Sequence, residues 1–233
     1  ILGTVDELST YESDTIASGL AAVWSRTNTR EDLYDSMANK ETYATTGTRI
    51  TVRFFGGWDY QQDDVYQNQM AEIGYEKGVP MGGDLTKQKD ANKAPIFMVA
   101  AMKDPNAGNL DRVQIIKGWI DSKGERQERI YDIAVSDDRK IDEIGRCKTP
   151  VGDTVNVAEA TYSNSIGDSE LRAVWTDPEF DPTLDAVYYA RVMEIPTPTW
   201  QAYDAKFYGF KMPEGIPLKH QERAYTSPIW YGQ

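Results

Sequence analysis

The segment 111–138 constrains this chain most, because it reads as one long antiparallel hairpin. Val113, Ile115, Lys117 and Trp119 alternate with Arg112, Gln114, Ile116 and Ile120. Ser122, Lys123 and Gly124 then turn the chain, and Tyr131, Ile133 and Val135 alternate on the return. A period of two means that one face of the hairpin is buried. A hairpin is not stable alone in water, so that face requires a second layer, and the flanking β-rich segments are the candidates to supply it. The expected architecture is an antiparallel β-sandwich.

A chain of 233 residues can bury a sizeable core, either as one all-β domain or as a small α/β piece joined to a sandwich, and the second arrangement fits better. Lys and Arg number 25 against 37 Asp and Glu, a formal net charge of −12. That charge repels phosphate backbones and anionic lipid, so neither nucleic acid nor a membrane surface is expected as a partner. No apolar run approaches the roughly 18 residues that span a bilayer, and no signal-peptide pattern opens the chain. The lone Cys147 rules out an internal disulfide. No His or Cys lies near it in sequence, so it reads as an inert side chain in a loop. It also leaves the redox compartment open, with a periplasmic or secreted location preferred over a cytoplasmic one. The first residue is Ile1 rather than Met, so the chain is expected to be part of a longer protein.

Residues 1–18 are polar without period and read as a surface segment or incoming linker. Gly19 to Trp24 form a short apolar run. Asn28 and Thr29 precede Glu31 and Asp32, and Leu33, Tyr34 and Met37 recur at helical spacing, which predicts a helix over 29–40. Ile50, Val52 and Phe54 alternate with Thr51 and Arg53 in a strand that ends at Gly56 and Gly57. The stretch 59–92 is a polar excursion in which Met70, Ile73 and Val79 would anchor a short strand. The run 96–102, IFMVAAM, suits a strand buried on both faces. Strands are also expected over 171–175 and 186–195, the second stopped by Pro196 and Pro198, with a β-prone end over 223–231 that pairs at a sheet edge.

Few residues suggest chemistry. His220 is the single histidine, which argues against a metal centre in this chain and against a Ser-His-Asp triad; beside Lys219 and Glu222 it reads as solvated or hydrogen-bonded. The turn 104–111, DPNAGNLD, alternates side-chain oxygens as calcium loops do, yet it departs from the EF-hand spacing and equally makes an ordinary turn. Asp177, Asp181 and Asp185 repeat that idea more weakly. Neither Gly56 with Gly57 nor Gly82 with Gly83 belongs to a phosphate loop. The turn 45–49, TTGTR, brings hydroxyls and an arginine together just before a strand. Thr46 and Arg49 are therefore the candidate anion-contacting residues, against the plainer reading of a connection satisfied by local hydrogen bonds. Arg191 and Arg223 are expected to pair with carboxylates.

Several segments together carry a resemblance: GLAAVWSRTNTREDLYDSM, KETYATTGTRITVRFFGGWDY, VPMGGDL, MKDPNAGNLDRVQIIKGWIDSKGE, SNSIGDSELRAVWTDPEF, VYYARVMEIPTPTW and QERAYTSPIWY. From Ser18 to Tyr231 the chain resembles the domain-of-unknown-function family thirty-six-oh-four, a branch of the PHP metallohydrolase superfamily. The resemblance implies an α+β, mainly β fold. In that scheme residues 1–57 are the C-terminal end of a PHP-type α/β barrel with its connection, contributing a terminal helix and strand, and residues 58–233 are a β-sandwich. The metal ligand motifs of such barrels precede the segment matching Gly19 and are absent here.

The implied function is accordingly that of the C-terminal portion of a metal-dependent hydrolase of phosphoester or related bonds, inactive by itself. Its zinc or manganese would sit in the missing N-terminal part, and that PHP domain would be its partner. Homo-oligomerisation stays open. The alternative is a non-catalytic sandwich that binds or scaffolds a partner or a carbohydrate through exposed aromatics, with Trp58, Trp175, Trp200 and Trp230 the residues to inspect.

Overall fold

The computed structural model describes residues 19–87 and 93–232; the linker expected over 1–18 lies outside the described residues. In chain order the first half contains β1 (Leu20–Val23), α1 (Arg30–Ala38), β2 (Thr42–Thr45), β3 (Thr51–Gly57), a 3-10 turn (Gln62–Tyr66), α2 (Met70–Lys77), β4 (Gly78–Pro80), β5 (Asp84–Leu85) and β6 (Ile96–Met102). The second half contains β7 (Leu110–Ile120), β8 (Arg126–Val135), β9 (Glu170–Thr176), β10 (Ala186–Glu194), β11 (Thr197–Pro198), α3 (Trp200–Tyr208), β12 (Lys219–His220), β13 (Arg223–Thr226) and β14 (Ile229–Tyr231).

The hairpin forms as its alternation requires. β7 and β8 pair antiparallel with Ile115 opposite Tyr131, and the connecting turn places Gly124 at φ +80°, in the left-handed region that favours glycine. β7 then pairs with β10, whose other edge takes β14 along its first half and β13 along its second. With β2 and β1 beyond β13, and β5 beyond β14, these strands make an eight-stranded sheet, antiparallel except for the β5–β14 pair. The second sheet runs β4-β3-β6-β9, all antiparallel.

The two sheets bury their facing rows against each other. Phe54 of β3 with Phe97 and Val99 of β6 meet Val113 and Ile115 of β7 and Tyr188, Ala190 and Val192 of β10. The Phe97 and Tyr188 rings, 4.5 Å apart, span the gap. Each such side chain, fully buried, contributes about 1.5–3 kcal/mol. β6 needs a continuous apolar run because its outer face is covered as well: Phe55 and Met98 lie beneath Tyr60 of the loop after β3, Val65 of the 3-10 turn and Met70 of α2. Gly74 lets α2 approach, since a Cβ there would stand 2.6 Å from the Phe55 ring.

The helix expected over 29–40 is α1, and the Thr29 side chain caps it by accepting from the Asp32 amide. Several expectations change. Met70 and Ile73 lie on helix α2, because burying Phe55 requires a cover that sits across β3 and β6 rather than another strand. α3 was not anticipated. It starts at Thr199 after the two prolines and ends at Gly209 in the left-handed conformation, boundaries obscured in the sequence by its aromatic composition. The terminal stretch is two short strands, and β13 lies inside the sheet between β10 and β2, not at an edge. Arg191 and Arg223 form no ion pair among the described residues; Arg191 donates through Nε to Oε1 of Gln114 at 2.7 Å, and Arg223 reaches the Tyr225 hydroxyl at 3.5 Å. β3 occupies the middle of the second sheet, so residue 57 ends a strand of the sandwich.

Candidate functional site

The strands deliver a group of polar side chains to one end of the sandwich. The inward row of β10 is Ala186, Tyr188, Ala190, Val192 and Glu194, all buried, so strand geometry alone sends the Glu194 side chain into the interior. Next to it come the 45–49 turn that leads from β2 to β3, the loop that joins β6 to β7, and Glu222 at the start of β13. The Glu194 amide donates to the Glu222 carbonyl at 2.9 Å, and Gly108 of the β6–β7 loop packs against the Glu194 carboxyl.

Glu194 has no solvent exposure, and neither of its carboxyl oxygens has a hydrogen-bond partner among the described residues. The Thr48 hydroxyl beside it is also buried; it lies close enough to act on the carboxyl but makes no well-formed hydrogen bond among the described residues. Burial pushes the Glu194 pKa up to about 7; the Thr48 hydroxyl opposes this, the nearby Glu222 and Asp104 carboxylates add to the rise, and Lys103 lowers it least. The group is therefore divided between its neutral and charged forms near neutral pH.

Of the residues singled out in the sequence, Thr46 and Glu222 are brought together. The Thr46 hydroxyl donates to Oε2 of Glu222 and accepts the Arg223 amide at 2.9 Å. His220 places Nε2 3.0 Å from Oε1 of the same carboxylate, and this contact holds the Glu222 carboxyl below its usual range. Arg49 lies on the rim. Its amide donates to Oδ2 of Asp104 at 2.8 Å, while its exposed guanidinium makes no ion pair among the described residues. Within the 45–49 turn only the Thr46 hydroxyl is bonded, while the Thr45 and Thr48 hydroxyls are buried without a hydrogen-bond partner among the described residues.

The other candidates resolve as structure. Asp104 accepts the amides of Asn106 and Arg49, which lower its pKa and use its oxygens as a turn does. Asp177 is buried against Lys117, and Asp181 caps Thr183. Cys147 is free and buried, with Sγ 3.5 Å from the Thr149 carbonyl. Trp58 and Trp175 pack against the core, whereas Trp200 and Trp230 are exposed. Sequence reasoning missed Glu194. The signal was there, a lone acid closing the alternation of an otherwise apolar inward row, but it becomes visible only once the inward face is known.

A metal does not fit this site. Among the described residues no group of three His, Cys, Asp or Glu is placed to hold one, and the His220 nitrogen that faces the cluster is engaged by Glu222. The zinc or manganese that the resemblance implies has no ligand set here.

Fold and site define a mainly β, antiparallel sandwich protein with a buried, protonatable carboxyl at one end. The chain belongs to the family described as Protein of unknown function (DUF3604), whose model matches residues 3–233. No curated protein and no solved structure matches it.

Proposed function

We propose that this chain is the C-terminal part of a PHP-like metal-dependent hydrolase of phosphoester or related bonds, with the metal held by residues outside it. The observation that carries the reading is the end of the sandwich just described, where the 45–49 turn carries Thr46 and the exposed Arg49, which forms no ion pair among the described residues, and where the Glu194 carboxyl titrates near neutral pH. An open arginine suits a phosphate oxyanion, and a perturbed carboxyl is a common mark of functional sites. Helix α1 supports a covalently linked partner domain: none of its nine residues is buried, and Tyr34 and Met37 face outward, as a helix does when it packs on something further.

The test compares the full-length protein with the isolated 233 residues. Metal-loaded full-length protein is expected to turn over members of a phosphoester panel, and the isolated chain to lose zinc and manganese on dialysis, because one imidazole cannot close a four-coordinate site. Stoichiometric metal on the dialysed chain, or a full-length protein inert across the panel, overturns the reading. The binding-module alternative is favoured by one observation, the exposed Trp230, which leads to a different surface.

A further inference from the structure

We propose that the outer face of the eight-stranded sheet, centred on β10, binds an acidic saccharide chain bearing carboxylate groups. The row of β10 opposite the buried one is Val187, Tyr189, Arg191 and Met193. Cross-strand pairing sets neighbours beside each. Trp230 of β14 lies opposite Val187, Tyr225 of β13 opposite Arg191, and Arg223 opposite Met193. On the β7 side Gly118 faces Val187 and adds no side chain to the surface. Trp230 is 49% exposed and Arg223 is exposed, with Tyr189, Arg191 and Tyr225 half-buried.

Three aromatic rings therefore follow one strand at the spacing of its repeat, with two guanidinium groups between and beyond them. Sugar rings have apolar faces that stack on aromatic rings, and a line of rings along a strand suits a ligand that is itself a repeating chain. The arginines specify charge. In a chain of net charge −12, Arg191 and Arg223 form no ion pair among the described residues, although Glu128 borders the face near Tyr189 and Glu222 lies within electrostatic range of Arg223. The guanidinium nitrogens not engaged by Gln114 and the Tyr225 hydroxyl can bind a carboxylate in a two-pronged geometry that a hydroxyl cannot match. Polyphosphate has no ring faces to stack on the aromatic row, which favours a saccharide over it.

Affinity electrophoresis of the 233-residue chain tests this, with polygalacturonate, neutral dextran or polyphosphate cast in the gel at low salt. The expected result is retardation by polygalacturonate and not by dextran, weakened about tenfold by Arg223→Gln and similarly by Trp230→Ala, since each removes one good contact. Both residues are surface-exposed, so the variants fold, and circular dichroism checks that they do. Absence of retardation overturns the proposal. So does retardation by polyphosphate that is as strong and survives Trp230→Ala, which would be charge alone. A concentration-dependent dimer abolished by Trp230→Ala assigns the face to a second copy of the chain and overturns it as well.

Discussion

Nζ of Lys117 lies 2.6 Å from Oδ2 of Asp177 at the end of the sandwich opposite Glu194, with both side chains withdrawn from solvent. The Tyr188 hydroxyl donates to the same oxygen at 2.8 Å, and the Glu179 carbonyl accepts a second Lys117 proton at 2.7 Å. The pair fastens the 177–185 loop across the interior edge of β7 and β10. Lys117→Met leaves the buried Asp177 carboxylate with the Tyr188 hydroxyl and the Glu179 amide but no counter-charge, and the expected loss of stability is about 3–5 kcal/mol. Lys117→Met combined with Asp177→Leu is expected to recover most of it. Urea denaturation of both variants checks the ordering, and a single variant that costs no more than the double one contradicts it.

Glu194 makes stability depend on pH. Its pKa is about 7 in the folded chain against 4.5 for an ordinary glutamate, so between those values the unfolded chain has released a proton that the folded chain retains. The contribution is complete below pH 4.5, falls as pH rises, and is gone above pH 7, a span of about 3 kcal/mol. Glu194→Gln keeps the neutral form at every pH. The stability of the variant relative to the parent should rise through that window, and a flat difference would show that the carboxyl is hydrated.

Gly74→Ala tests the cover of the second sheet. The substitution improves helix propensity by about 1 kcal/mol but drives a Cβ to 2.6 Å from the Phe55 ring, and such overpacking costs about 1–3 kcal/mol. The Phe55 ring is held from below by the sheet and cannot retreat. A net fall in melting temperature is expected; a rise would mean that α2 shifts freely over β3.

Arg49→Ala addresses the proposed hydrolase in its full-length form. The side chain is exposed and forms no ion pair among the described residues, so its loss should change stability by no more than about 0.5 kcal/mol. Turnover of a phosphoester substrate is expected to fall about tenfold or more, the worth of one charge-assisted contact to an oxyanion. Unchanged kinetics with a depressed melting temperature would make Arg49 a residue of the domain junction.

Much of the architecture was legible because alternation is local information. The hairpin 111–138, the runs 96–102 and 171–175 and the strand ended by Pro196 all take their places, since each row of apolar side chains needs only one face to be buried. Where the reading missed, partners distant in sequence decided. Met70 and Ile73 became helical to cover Phe55, and the segment 223–231 divided into two strands to fill one edge of β10.

The sequence by itself determined that this chain builds antiparallel sheets, that acidic residues outnumber basic ones by twelve, and that it holds a single histidine. These are matters of period, count and sign, which no fold alters. The tertiary structure alone decided which polar groups lose water. Glu194 and Lys117 look in sequence like any acid or base at a strand end or in a strand. They are buried because the inward rows of β10 and β7 carry them between two sheets, where the cost of desolvation depends on everything packed around them. Arg191, expected to hold a carboxylate, instead lies on the outer row beside Gln114, because the pleat sends each strand residue to the face opposite its neighbour's.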